Sequence, residues 1–164
     1  MKSTLFLFMA FISIAGFTQQ DLKTILNKHN NNSVTYMTVQ ELNMPKTQVK
    51  LLDAREKAEY DVSHIKNALH VGYNDFDIKT VLEHIKDKRS KVVVYCSIGI
   101  RSEDIGEQLI EAGYTNVYNL YGGIFEWKNA DLPVYTNDGL ETDKVHAYSK
   151  NWGKWLNKGV KVYD

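Results

Sequence analysis

The stretch Val92-Val93-Val94-Tyr95-Cys96-Ser97-Ile98-Gly99-Ile100-Arg101-Ser102 decides how the rest of the chain is read. Residues 92–95 are apolar and β-branched without polar alternation, the pattern of a strand buried on both faces of a parallel sheet. A reactive side chain, Cys96, stands where that strand stops. A short loop with one glycine follows, and the apolar spacing of residues 102–112 then predicts a helix, with Ser102 as its N-cap and Gly113 as its stop. Strand, short loop, helix is the unit from which parallel sheets are built.

The same alternation extends on both sides. Upstream, Leu22, Ile25 and Leu26 fall at helical spacing before the turn-forming Asn30-Asn31-Asn32, and residues 34–36 read as a short strand. Thr38 with Glu41 three residues on is a capping box opening a brief helix that ends by Pro45. Residues 49–53 read as a strand finishing on Asp53, residues 56–60 as a helical turn, residues 68–71 as a strand and residues 75–85 as a helix. Downstream, residues 117–120 are a strand, and Gly122-Gly123 leads into a short helix around Trp127, a core residue. The expected fold is therefore α/β: a mostly parallel five-stranded sheet with helices on both faces. There is no internal repeat and no low-complexity linker.

In open α/β sheets, ligands bind at the carboxyl ends of strands, where Asp53 and Cys96 both lie. A thiol in that position faces unpaired backbone N–H groups and the positive end of a helix, and both favour the thiolate. Gly99 lets the loop curl so that successive N–H groups point inward as an anion nest. Arg101 adds a fixed charge whose planar donors fit either Asp53 or an anionic substrate. Glu103 and Asp104, in the first turn of the helix, act against this and are expected to raise the thiol pKa. The competing structural reading makes Cys96 a small apolar residue closing a buried strand. The combination of strand, Cys, glycine-bearing loop, Arg and helix favours chemistry over that reading.

Composition narrows the classes. The chain has 164 residues, Lys+Arg 20 against Asp+Glu 20, and 43% hydrophobic residues, which suits one soluble domain. Zero net charge without a basic run argues against nucleic acid. A single cysteine excludes an internal disulfide and a thiolate zinc cluster. The histidines at 29, 64, 70, 84 and 146 show no metal-ligand spacing, so neither a metal nor a cofactor is implied. At the start, Met1-Lys2-Ser3, an apolar run from Leu5 to Ile14, then Gly16 and Thr18 have the make-up of a cleavable export signal over residues 1–18. The apolar run is shorter than the roughly 20 residues a spanning helix needs. The expected working protein is exported, to a periplasm-like space, and is free of the membrane after cleavage.

With these motifs in place, the sequence resembles the single-domain rhodaneses. The loop from Cys96 to Arg101 is similar to their active-site loop, a Cys and an Arg enclosing four residues. Leu52-Asp53-Ala54-Arg55 resembles their acid-x-Arg element, followed by Glu59-Tyr60, then His64-Ile65 and Ala68. Gly113-Tyr114, Val117, Leu120, Gly122-Gly123, Trp127 and Leu132-Pro133-Val134 resemble the closing segment. The likeness covers residues 36–135, after a lead-in helix over 19–35. It departs from the family at Ser63 and Asp131, where glycine is usual, and at Lys66-Asn67, where Pro-Gly is usual. Asn67 is still able to take a left-handed turn conformation.

The resemblance implies sulfane-sulfur transfer by a thiosulfate-sulfurtransferase type of enzyme. Cys96 would attack the outer sulfur of thiosulfate or a persulfide, and a thiol (small or protein-borne) or cyanide would accept that sulfur. Ser97, Ile98, Gly99, Ile100, Arg101 and Ser102 would form the substrate cup, with Asp53 and Arg55 bracing it. Two other readings remain. One is a non-catalytic sulfur-binding or interaction module. The other is a Cys-dependent phosphatase or arsenate reductase, whose loop in fold relatives is one residue longer. Beyond the likeness, residues 136–164 place Val145, Tyr148, Trp152 and Trp155 at three- and four-residue steps, which predicts an amphipathic C-terminal helix. It either docks on the domain or lends its aromatics to the mouth of the site.

Overall fold

The computed structural model describes residues 12–163, with side chains described from Asp21 onward. The leader expected over residues 1–18 therefore lies largely outside the described residues. Elements follow in the order α1 (Ile12–His29), β1 (Thr35–Met37), α2 (Val39–Leu42), β2 (Lys50–Asp53), α3 (Lys57–Val62), β3 (Leu69–His70), α4 (Ile78–His84), β4 (Val92–Tyr95), α5 (Arg101–Glu111), β5 (Val117–Leu120) and α6 (Gly123–Asn129). After α6 come β6 (Val134–Tyr135), β7 (Glu141–Thr142), β8 (Lys144–His146), a 3-10 turn (Gly153–Trp155) and β9 (Val160–Val162).

Five strands form one sheet in the order β1-β5-β4-β2-β3. Every pairing within it is parallel. Strand β4 lies at the centre, as its unbroken apolar run requires, and its side chains alternate between two cores. Val93 and Tyr95 join Leu26, Met37, Leu120, Ile124 and Phe125 on the face covered by α1, α2 and α6. Val92 and Val94 join Val81, Ile105 and Leu109 under α4 and α5. The capping box at α2 is present: the Glu41 N–H donates to Thr38 Oγ1 at 3.2 Å and the Thr38 N–H to Glu41 Oε2 at 2.8 Å. Asn67 and Asp131 both take left-handed backbone, φ 62 and 60, so both hold turns without glycine. Ser63 is extended, with φ −172, and needs no glycine.

Residues 136–164 do not form the expected amphipathic helix. Within the described part, β8 pairs in parallel with β9, and only a single 3-10 turn stands between them. The β-branched Val145, Val160 and Val162 favour the strand pairing over helix. Tyr148 stands in left-handed backbone at φ 62, which no α-helix accommodates. The segment nevertheless docks, although Val145 alone of the expected stripe is fully buried. Val145, Ala147 and Leu156 are completely buried. Polar ties accompany them: Ser63 Oγ donates to the Lys144 carbonyl at 2.6 Å, and Asn129 Nδ2 to the Trp155 carbonyl at 2.9 Å.

This packing predicts the outcome of limited proteolysis. Cleavage between the sheet domain and this segment should fall in the exposed turn at residues 137–140. The segment beyond it should remain bound, and its release as a free peptide would contradict the docking.

Candidate active site

Cys96 directly follows β4 and is 2% exposed. Its Sγ accepts a hydrogen bond from the Gly99 N–H at 3.2 Å, and Ser102 Oγ lies 3.5 Å away. The loop adopts this curl because its carbonyls are drawn outward. The first amides of α6 take two of them: the Ile124 N–H donates to the Cys96 carbonyl at 2.9 Å and the Phe125 N–H to the Ser97 carbonyl at 3.1 Å. The Gly99 carbonyl accepts from Asn30 Nδ2 at 2.8 Å and from Asn119 Nδ2 at 2.9 Å. In a trans peptide the N–H points opposite to its C=O. The N–H groups of Ser97, Ile98 and Ile100 are therefore turned away from those partners. Gly99 itself has φ 109, a region closed to most side chains.

Ser102 is not the helix N-cap. Helix α5 begins at Arg101, and its N-cap is Ile100, two residues before Ser102, in α-helical backbone without a side-chain cap. This frees the Ser102 hydroxyl to turn inward, 2.8 Å from Asn119 Oδ1 and within reach of the thiol.

Arg101 does not clamp Asp53. Its fork is filled by Glu59, with Nη1 donating to Oε2 at 2.7 Å and Nη2 to Oε1 at 2.8 Å, and Nη2 also donates to Ser97 Oγ at 3.0 Å. Asp53 is already saturated by Arg55, whose Nε donates to Oδ1 at 3.0 Å and whose Nη2 donates to Oδ2 at 2.6 Å. Both members of that pair are fully buried, and Arg55 Nη2 also reaches the Ser63 carbonyl at 2.7 Å. The pair locks the end of β2 beside the Cys96 loop.

Sequence reading did not assign Glu59 this role. It sits at the third position of α3, reciprocally capped with Glu56. An acid in the first turn of a helix that follows an Asp-x-Arg strand end is the sequence signal that points to it, and its burial confirms that it has a partner.

The electrostatics favour the thiolate. Burial pushes the Cys96 pKa up, but the Arg101 charge, the Ser102 hydroxyl and N–H, and the Gly99 N–H outweigh it and leave it below the ordinary thiol value. The rise expected from Glu103 and Asp104 does not prevail. Glu103 is turned away, accepting from the Ser33 N–H at 2.9 Å and from Asn119 Nδ2 at 3.0 Å. Asp104 accepts from the Tyr73 hydroxyl at 2.6 Å. Burial likewise pushes the Glu59 pKa up, and the bonds and charge of Arg101 with the charge of Arg55 bring it below the ordinary carboxylate value.

Two concavities bear on function. The larger, about 710 Å³, is lined by Lys50, Lys91 and Trp127 and lies at the amino ends of β2 and β4, away from Cys96. The smaller, about 120 Å³, opens over Cys96 and is lined by Ser97, Ile98, Ile100, Arg101, Tyr148 and Trp152. It therefore unites every loop residue of the expected cup except Gly99 and Ser102, which hold the sulfur from behind. The tail aromatics reach the mouth, although not from a helix. Among the described residues, no group of three or more His, Cys, Asp or Glu side chains is placed to hold a metal.

A parallel α/β sheet with an ionisable thiol in a strand-to-helix anion loop defines a class of cysteine-centred domains. Within it, residues 38–130 match the model of the Rhodanese-like domain, and the chain belongs to that family. It is 33% identical over 98 residues to the thiosulfate sulfurtransferase GlpE of Coxiella burnetii, covering 58% of this chain and 85% of that protein. It is 38% identical over 91 residues to the tRNA uridine(34) hydroxylase of Hamiltonella defensa, where it covers 51% of this chain and spans only 26% of the hydroxylase. Among solved structures, thiosulfate sulfurtransferase of Pseudomonas aeruginosa superposes with TM-score 0.59 at 22% identity, over 85% of this chain and 26% of that one. The rhodanese-like domain of Anabaena Alr3790 gives 0.55 at 21% identity, over 62% and 78%. These two likenesses concern the fold.

Two measurements check the site. Alkylation of Cys96 by iodoacetamide should rise with pH to a plateau, with its midpoint below that of an ordinary thiol, because the thiolate is the reacting form. Arg101→Gln should move that midpoint upward. Gly123→Ala would place a Cβ 2.3 Å from the Cys96 carbonyl oxygen in left-handed backbone at φ 54. Urea denaturation should show a loss of about 2 kcal/mol or more.

Proposed function

We propose that the protein is a sulfurtransferase that carries sulfane sulfur on Cys96, from thiosulfate or a persulfide donor to a thiol acceptor. The observation that carries this reading is the Cys96 thiol itself, held by the Gly99 N–H at 3.2 Å with its pKa lowered in part by Arg101. With thiosulfate, the Cys96 thiolate attacks the outer sulfur, the S–S bond breaks, and sulfite leaves with the electron pair. The product is a Cys96 persulfide anion whose terminal sulfur carries the charge. Loop N–H groups stabilise that charge as an oxyanion hole stabilises oxygen. An acceptor thiolate then attacks the terminal sulfur, forms its own persulfide and releases the Cys96 thiolate. Asp53 and Arg55 act as braces, since neither is exposed to a substrate.

The names of the Coxiella and Haemophilus influenzae GlpE relatives, the latter 34% identical over 86 residues, support the reaction class. The make-up of residues 1–18 supports export to a periplasm-like space. The anchoring of α1 is compatible with cleavage near Thr18, because buried Leu22 and Leu26 lie beyond that point.

Intact-protein mass spectrometry of the exported protein reads both parts. The expected mass is that of the chain without its leader, increased by one sulfur atom after exposure to a donor. Cys96→Ser should abolish both the gain and thiosulfate:cyanide turnover. A wild-type chain that binds a partner but never gains sulfur would be a binding module instead, and phosphate-ester hydrolysis lost in Cys96→Ser would indicate a phosphatase.

A further inference from the structure

The mouth of the Cys96 cavity is finished by residues outside the segment that matches the family. Tyr148 and Trp152 come from the C-terminal segment, and Trp152 meets His29 at the end of α1 edge-on, with ring centroids 6.2 Å apart. Tyr148 lies over the Arg101 guanidinium, 5.0 Å from ring centre to Cζ. Its backbone is left-handed at φ 62, and its N–H donates to His146 Nδ1 at 3.1 Å. Left-handed backbone is costly for an aromatic residue, and such strain persists where the surrounding structure holds it for a purpose. Here it sets a half-exposed ring at the site rather than in a core.

The charge inside the cavity is already spent. Both Nη atoms of Arg101 are bonded to Glu59, and Tyr148 covers one face of the guanidinium. A small dianion would have to displace Glu59, taking the guanidinium from a nearly buried carboxylate, or sit among Ile98, Ile100, Tyr148 and Trp152 without a free counter-charge. Both are unfavourable. An apolar group finds four side chains to pack against.

Resting on the sulfurtransferase reading, we propose that the preferred donor is an organic sulfane-sulfur compound carrying at most one negative charge. Its aliphatic or aromatic group packs between Tyr148 and Trp152, which thereby set donor specificity. The natural class is a hydrophobic organic persulfide, R–S–SH. The Cys96 thiolate attacks the outer sulfur, the bond to R–S breaks, and R–S⁻ leaves with the electron pair. The outer sulfur passes to Cys96 with its proton, so that no outside oxidant or reductant is required.

Stable probes separate charge from apolar contact. With cyanide as fixed acceptor, kcat/KM is compared for benzenethiosulfonate, an aromatic monoanion, methanethiosulfonate, a small monoanion, and thiosulfate, a small dianion. Each thiosulfonate gives its outer sulfur to Cys96 and leaves as the sulfinate. The expected order is benzenethiosulfonate above methanethiosulfonate by about tenfold or more, chiefly through KM, with thiosulfate last; tenfold corresponds to about 1.4 kcal/mol of extra binding. Tyr148→Ala and Trp152→Ala should each reduce the benzene-to-methane ratio, and the double variant should bring it near one. Tyr148→Asn, which accepts the left-handed backbone with less strain, gives the same reading should the alanine variant fail to fold. A ratio near one in the wild type, thiosulfate as best donor, or a ratio unmoved by these variants would overturn the proposal. Failure of all three donors to load sulfur on Cys96 would instead overturn the sulfurtransferase reading on which it rests.

Discussion

The site depends on where the carbonyls of one loop point. A loop of successive peptides binds an anion only when its C=O groups are taken up elsewhere, because each inward carbonyl would repel the charge that the N–H groups attract. Here the amino end of α6 takes the carbonyls of Cys96 and Ser97, and the side chains of Asn30 and Asn119 take that of Gly99. The remaining architecture serves this arrangement. The Gly122-Gly123 turn has to bring α6 so near that a Cβ on Gly123 would overlap the Cys96 carbonyl oxygen. Strand β5 has to present Asn119 between Ser102 and Gly99, and α1 has to end where Asn30 reaches across.

Most of the scaffold was legible from local patterns. The β-branched run at residues 92–95 placed the central strand, the turn residues and caps marked helix limits, and alternating elements gave the parallel sheet. What those patterns could not show was pairing between distant side chains. Arg101 was expected to meet Asp53 or a substrate, yet Glu59 occupies its fork because Asp53 is saturated two residues away by Arg55. Ser102 reads as an N-cap by residue type, but a helix starting at Arg101 leaves its hydroxyl for the thiol side of the loop. The acids at 103 and 104 lie in the first turn as expected. Their effect does not prevail at the thiol, and Ser33, Asn119 and Tyr73, remote in sequence, hold their carboxylates.

The C-terminal segment shows a different limit of periodicity. Val145, Tyr148, Trp152 and Trp155 recur at helical steps, but the same spacing arises when a strand, a left-handed residue and a 3-10 turn follow one another. Hydrophobic recurrence recorded that the segment packs, without fixing its backbone or its buried residues: Ala147 and Leu156, outside the recurrence, are completely buried, whereas Tyr148 is exposed. The decisive term was strand pairing between residues 144–146 and 160–162, contacts no short window contains.

The ion pair beside the thiol explains how one cavity can stabilise a thiolate and still disfavour a dianion. An isolated guanidinium attracts negative charge with an energy that falls only as the inverse of distance. Paired with Glu59 it becomes a dipole, whose field fades faster, so a donor approaching through the mouth meets little net positive charge. The Cys96 sulfur is in a different position: fixed in the loop, it still has its pKa lowered by the Arg101 charge and by the Gly99 N–H. Stabilisation is thus kept for the sulfur already fixed in the loop. Selection of the incoming molecule passes to the surfaces it touches first, and those are Tyr148 and Trp152.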